Sequence, residues 1–107
     1  MLYAVYTKLV VLPGRELDFE AALQSLYAVQ QSVSSFVGGE LCRLDDTPST
    51  FLAISYWSEP DGYDRFHALP ERLARLPALL ETLDPVGTVH FRGEVAYRVT
   101  PAGFETP

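Results

Sequence analysis

The side chains with the most chemistry to offer in this chain are two histidines, one tryptophan and one cysteine. His67 and His90 lie 23 positions apart on different predicted elements, so a metal site would need carboxylates delivered by the fold. Cys42 has no second thiol to pair with and reads as a small buried filler. No Gly-x-Ser-x-Gly elbow, phosphate-cradling glycine loop, Cys-x-x-Cys or His-x-His is present, and Gly38-Gly39 alone is a turn. What remains is an aromatic cluster with one titratable partner. Tyr63, Phe66 and His67 share a helix face at i, i+3 and i+4, just after Trp57 ends a strand. A flat pocket between helices and sheet, walled by Trp57, Tyr63 and Phe66, suits an aromatic ligand, with His67 as proton acceptor. The plainer alternative makes Trp57 a core anchor and His67 a solvated helix residue. His90 and Arg92 are expected to point outward, to solvent or a dimer edge.

The elements that must position these residues follow from hydrophobic period and breakers. Leu2 to Leu12 is β-branched and aromatic and stops at Pro13-Gly14, which predicts strand one. From Arg15 to about Val33 the apolar spacing becomes helical, with Glu16, Asp18 and Glu20 in the first turns where negative charge suits the helix dipole. Gly38-Gly39 should break the chain before a short strand, Glu40 to Leu44. The run Asp45 to Ser49 predicts a turn into the strand Thr50 to Trp57. Ser58 is the expected N-cap of the next helix, with Pro60 where no backbone donor is needed. Pro70 interrupts that helix, Glu71 to Leu83 resumes one, and Pro77 should kink or split it. Val89 to Val99 alternates as a final strand, and Pro101 to Pro107 is an aperiodic tail, a surface strap or frayed.

The order β-α-β-β-α-β predicts a ferredoxin-like α+β sandwich: a four-stranded antiparallel sheet with helices on one face. Residues 1–100 form the single domain and 101–107 the tail. Strands one and three are apolar on both sides, with Ala4, Tyr6 and Val10 and then Leu52, Ile54 and Tyr56 opposite the helix-facing set. An open-faced sandwich in water should carry polar residues there, so a second copy is expected to cover that face as an isologous homodimer. The 8 basic and 14 acidic side chains give a net charge of −6, which argues against nucleic acid as a partner. No apolar run approaches the roughly 20 residues of a membrane span. The start Met-Leu-Tyr-Ala-Val-Tyr reads as strand rather than signal peptide, and with a single cysteine the expected compartment is the cytoplasm.

Three stretches, in this order and spacing, resemble the antibiotic biosynthesis monooxygenase family of dimeric α+β barrels. They are Val11-Leu12-Pro13-Gly14-Arg15-Glu16-Leu17-Asp18-Phe19-Glu20, Gly38-Gly39-Glu40-Leu41-Cys42-Arg43-Leu44-Asp45-Asp46, and Phe51-Leu52-Ala53-Ile54-Ser55-Tyr56-Trp57-Ser58-Glu59. The resemblance implies a homodimer with one pocket per subunit. It implies a monooxygenase acting on an electron-rich arene such as a quinol or anthrone with O₂, using no metal, flavin or haem. Trp57 matches the family's strand-end tryptophan, and His67 falls one place after its helix histidine. The family's haem-degrading branch needs an asparagine on strand one, a tryptophan on the second helix and a histidine beyond it. Thr7, Phe66 and Leu76 stand at those positions, and the chain has no asparagine at all. The substrate-binding set implied is therefore Thr7, Trp57, Tyr63 and Phe66, with His67 as base. A non-catalytic barrel that binds a small hydrophobic molecule is the alternative.

Overall fold

The computed structural model describes residues 1–107. The chain forms β1 (Tyr3–Val10), α1 (Glu16–Gln31), β2 (Phe36–Arg43), β3 (Thr50–Trp57), α2 (Pro60–Ala68) and α3 (Pro70–Leu80). A single 3₁₀ turn over Pro85–Gly87 leads into β4 (Val89–Glu94), and the hairpin β5 (Arg98–Thr100) and β6 (Gly103–Glu105) ends it. The first four strands make one antiparallel sheet in the order β2-β3-β1-β4. With the helices packed on one face, this is the expected α+β ferredoxin-like fold. No helix is long and apolar enough to cross a membrane.

Two apolar clusters hold the helices to the sheet. At one end Leu9, Val11 and Phe51 meet Phe19, Leu23 and Leu79, with the Phe19 and Phe51 rings stacked 4.9 Å apart. At the other end Trp57 is fully buried among Tyr3, Val5, Val29, Tyr63 and Phe66. Its ring meets Phe36 and Tyr63 edge-on at 5.3 and 5.6 Å, the geometry the aromatic quadrupole favours.

Several local expectations need correction. Gly38 and Gly39 do not break the chain before β2; they lie inside it, after an irregularity between Phe36 and Gly38. A Cβ on Gly39 would sit 2.6 Å from the Ile54 carbonyl oxygen, so the glycine permits a close strand approach. Ser58 does not cap α2. Glu59 occupies that position with extended dihedrals, while the Ser58 amide and hydroxyl both donate to the Ser35 carbonyl at 2.8 and 3.4 Å. The break between α2 and α3 falls at Leu69, whose extended backbone is what a following proline imposes. α3 runs through Pro77 unsplit; Leu73, whose carbonyl loses its donor there, is exposed, so water can replace it. Cys42 is exposed on the edge strand β2 rather than buried.

The last predicted strand is two pieces. β4 ends at Glu94 because its partner β1 ends there, in the pair Tyr3↔Glu94. Beyond it the chain turns and pairs with itself as β5 and β6, so part of the expected tail is hairpin, and Arg98 stacks over Tyr56 at 5.8 Å.

Gly62 and Trp57 generate a stability prediction. A side chain at Gly62 would overlap the Ser35 hydroxyl and press toward the Trp57 ring. Gly62→Ala should cost about 1–3 kcal/mol as overpacking. Trp57→Ala should cost about 3–5 kcal/mol as a cavity. Urea midpoints at unchanged m-value would read both losses, and midpoints equal to wild type would remove the corner from its structural role.

Candidate active site

Down the helix-facing side of β3 the side chains run large, small, small, large: Phe51, Ala53, Ser55, Trp57. Their partners on β1 are Leu9, Thr7, Val5 and Tyr3, and directly opposed residues share a sheet face. The short side chains at the centre leave space that the helices roof without filling. The result is a half-enclosed cavity of about 140 Å³. A cavity of roughly 150 Å³ accommodates benzene, so this one takes a single aromatic ring. α1 lends Leu23, Leu26, Tyr27 and Gln30 to its wall. α2 lends Tyr63 and Phe66, and α3 lends Arg72, Leu76 and Leu79.

Of the residues singled out in the sequence, Thr7, Tyr63 and Phe66 line this cavity. Trp57 and His67 do not. Trp57 stands behind the wall, donating its indole N–H to Ser55 Oγ at 3.0 Å and packing on Tyr63 and Phe66. His67 is exposed on α2, its ring 5.8 Å from that of Tyr63.

His90 and Arg92 are exposed, as expected of the final strand, yet they do not turn away from the helices. β4 pairs with β1 as Thr7↔His90 and Val5↔Arg92, so both residues take the helix-facing side with Thr7 and Val5. His90 Nδ1 lies 3.1 Å from Thr7 Oγ1, and its ring stacks on Tyr63 at 6.0 Å. Arg92 pairs with Asp64 at 3.0 Å, hydrogen-bonds the Tyr3 hydroxyl and lies over the Tyr63 ring. The two histidines thus flank Tyr63, and of the two rings it is that of His90 that is hydrogen-bonded to a cavity-lining side chain. The sequence reading also passed over Ser55, Gln30 and Arg72. The large-small-small-large order on β3 was the signal that could have located the first of these.

Burial and charge act together on this cluster. Desolvation lowers the His67 pKa below its ordinary value, Arg72, His90 and Arg92 lower it further, and Asp64 partly opposes them. Desolvation, then Arg92, lowers that of His90. Both imidazoles are therefore neutral at pH 7, and a neutral Nδ1 can accept a proton from Thr7. Burial raises the pKa of the Tyr63 phenol, against the opposing pull of Arg72 and Arg92, so it stays a protonated donor.

Neither a family model nor a curated protein matches this sequence. Solved structures do. SnoaB from Streptomyces nogalater, a cofactor-independent oxygenase, superposes with a TM-score of 0.80 at 22% identity, over 94% of this chain and 96% of that one. The chain has the fold of the antibiotic biosynthesis monooxygenases. A candidate antibiotic biosynthesis monooxygenase from Caulobacter crescentus CB15 superposes with a TM-score of 0.79 at 17% identity, covering 88% of this chain and 89% of its own. Rv0793 from Mycobacterium tuberculosis does so with 0.79 at 13% identity, over 94% and 100%.

The histidine environment predicts a titration. The folded pKa of each is below the unfolded one, so the unfolded chain binds protons first. Stability from these residues is complete above about pH 6.5, the unfolded value, and declines as pH falls below it. Imidazole Cε1–H shifts followed by NMR should titrate below 6.5 for both residues. Arg92→Gln should move His90 back upward, and no movement would mean that Arg92 does not act on it.

Proposed function

We propose that this protein is a cofactor-independent monooxygenase of a small, electron-rich arene. The observation carrying the reading is the ring-sized cavity whose Thr7 hydroxyl is hydrogen-bonded to a neutral imidazole, His90. The likeness of the fold to that of SnoaB, a cofactor-independent oxygenase, supports the class of reaction. A ring held against Tyr63 and Phe66 directs its acidic hydroxyl or methylene to Thr7. Thr7 takes that proton as it passes its own to His90 Nδ1. The resulting carbanion or phenolate gives one electron to O₂, and the organic radical and superoxide recombine as a peroxide. For an acidic methylene on such a ring, loss of water leaves a carbonyl, so one oxygen atom enters the substrate and the other departs in water. The Tyr63 hydroxyl and the surrounding cations stabilise the anion before it meets O₂. Trp57 holds Tyr63, Phe66 and Ser55 in position, and His67, neutral on the far side of Tyr63, packs beside its ring.

Oxygen uptake with single-ring dihydroxyarenes, without added cofactor, tests this reading. Wild type should exceed the autoxidation blank. Thr7→Val and His90→Ala should each lower the rate about 10²-fold or more, the range of general-base contributions, with His67→Ala milder. A larger loss in His67→Ala than in His90→Ala would make His67 the base. Uptake no faster than the blank, with the arene still bound, would make the protein a binding barrel.

The working unit is proposed to be a homodimer. The outer sheet face carries Tyr6, Leu52, Ile54 and Tyr56, with Phe91 63% exposed beside them, and the β5–β6 hairpin exposes Val99 and Phe104. A second sheet packed on this face would bury what water otherwise meets. Sedimentation equilibrium should give twice the chain mass for wild type and a monomer for Ile54→Glu; a monomeric wild type would end the dimer reading.

A further inference from the structure

We infer that the cavity selects an arene bearing a carboxylate, and that Arg72 and Gln30 are the groups that grip it. The inference rests on reading the cavity as the ligand site, and it names the substrate's chemical class. Its first ground is Gln30. This residue is 6% exposed and lies in the wall of this cavity and of a neighbouring one between α1 and β2. Its amide is reached by solvent rather than sealed off, since Ser35 Oγ is the buried side-chain atom left without a partner. An amide with two donors and an acceptor beside an open cavity can exchange water for a ligand oxygen.

The second ground is independent of the first. Arg72 is the one charged residue in the wall. The ion pairs of this protein are Arg15–Asp18, Arg43–Glu20, Arg65–Glu59 and Arg92–Asp64, and Arg72 is in none of them. It donates to the His67 carbonyl at 3.0 Å and lies over the Phe66 ring. Its pKa is lowered by burial, the mark of a cation held partly out of water without a counter-charge. The chain has 14 acidic side chains, yet none lines this cavity.

The remaining polar groups are donors of the right kind. Ser55 Oγ already accepts the Trp57 indole N–H, so its own hydrogen is free to be donated. A planar guanidinium with donors beside it matches a carboxylate better than a neutral oxygen, because the fork makes two parallel charge-assisted bonds. The apolar remainder of the wall takes the ring. Thr7 and His90 are left for the acidic hydroxyl, so a hydroxybenzoate presents one anionic group and one titratable group to different parts of the site.

Calorimetric binding of salicylate against salicylamide tests this without any turnover. They differ in one group of similar size, an anionic carboxylate in one and a neutral carboxamide, with a donor in place of one acceptor, in the other. Wild type should bind salicylate roughly 10- to 100-fold more tightly, the worth of hydrogen bonds to a charged group. Arg72→Gln should abolish that preference, lowering salicylate affinity far more than salicylamide affinity, with a wild-type urea midpoint reporting that the variant is folded. Arg72→Lys should recover part of it. Gln30→Leu, close in volume and unable to hydrogen-bond, should weaken salicylate more than salicylamide. Equal affinity for the two ligands in wild type, or equal loss of both in Arg72→Gln and Gln30→Leu, would overturn the carboxylate subsite. Oxygen uptake on neutral dihydroxyarenes would in that case still stand for the oxygenase. Salicylate selectivity without oxygen uptake would keep the subsite and end the oxygenase.

Discussion

Everything proposed for this protein depends on a gap that three short side chains keep open. Thr7, Ala53 and Ser55 lie at the centre of the sheet, while Phe51 and Trp57 prop the helices at either end. Were the centre as bulky as the ends, the two apolar clusters would fuse into one core. Left open, the 140 Å³ gap costs the apolar burial that larger side chains would bring to its wall. The cost is the physical reason to read the gap as a site rather than as loose packing, and it makes the stiffness of the Trp57 corner matter. The indole has no freedom to swing into the gap, because Ser55 holds its N–H and Phe36, Tyr63 and Phe66 hold its faces.

Charge is distributed against the average of the molecule. The chain is acidic overall, but around Tyr63 stand Arg72, Arg92, His67 and His90, with Asp64 the carboxylate among them. Asp64 is committed to Arg92. The local field therefore favours an anion in the cavity while holding both imidazoles neutral. These two effects serve one chemistry: a neutral base can take a proton, and the conjugate anion it creates is left beside cations. They also explain why Tyr63 carries so much. It is a wall of the cavity, a face for Arg92, a stacking surface for His90 and an edge for Trp57. Tyr3, which packs in the Trp57 cluster and hydrogen-bonds Arg92, and Phe66, under Arg72, tie the aromatic corner to the polar cluster beside it.

The fold was legible because its signals are local or periodic. Alternation marked β1 and β3, and the three-four spacing of Phe19, Leu23 and Leu26 marked α1. Pro60 and Pro70 at first helical positions marked the starts of α2 and α3. What failed were local rules overridden by tertiary contacts. Gly38-Gly39 looked like a break and is a close strand approach. Ser58 looked like a cap and is a tie to Ser35. The site was legible only in part. Thr7, Tyr63 and Phe66 came through family resemblance and helical spacing. Gln30 and Arg72 belong to different helices, and nothing in the order of residues says that those helices roof the same hole.

His90 shows most clearly where reading a sequence stops. Alternation along β4 says that His90 and Arg92 share one face and that Val89, Phe91 and Gly93 share the other. It does not say which face meets the helices. That is set by register against β1, and a slip of one residue would exchange the two sets completely. The exchange would turn Phe91 toward the cavity and its two basic neighbours into the apolar outer face, so the candidate base and the candidate dimer surface would be lost together. The observed register, Thr7↔His90, satisfies both at once. The polar cluster on one side of the sheet and the exposed apolar face on the other are thus one property of one strand. A change that alters the pairing of β4 should be felt in proton transfer and in assembly alike, even where it touches neither site.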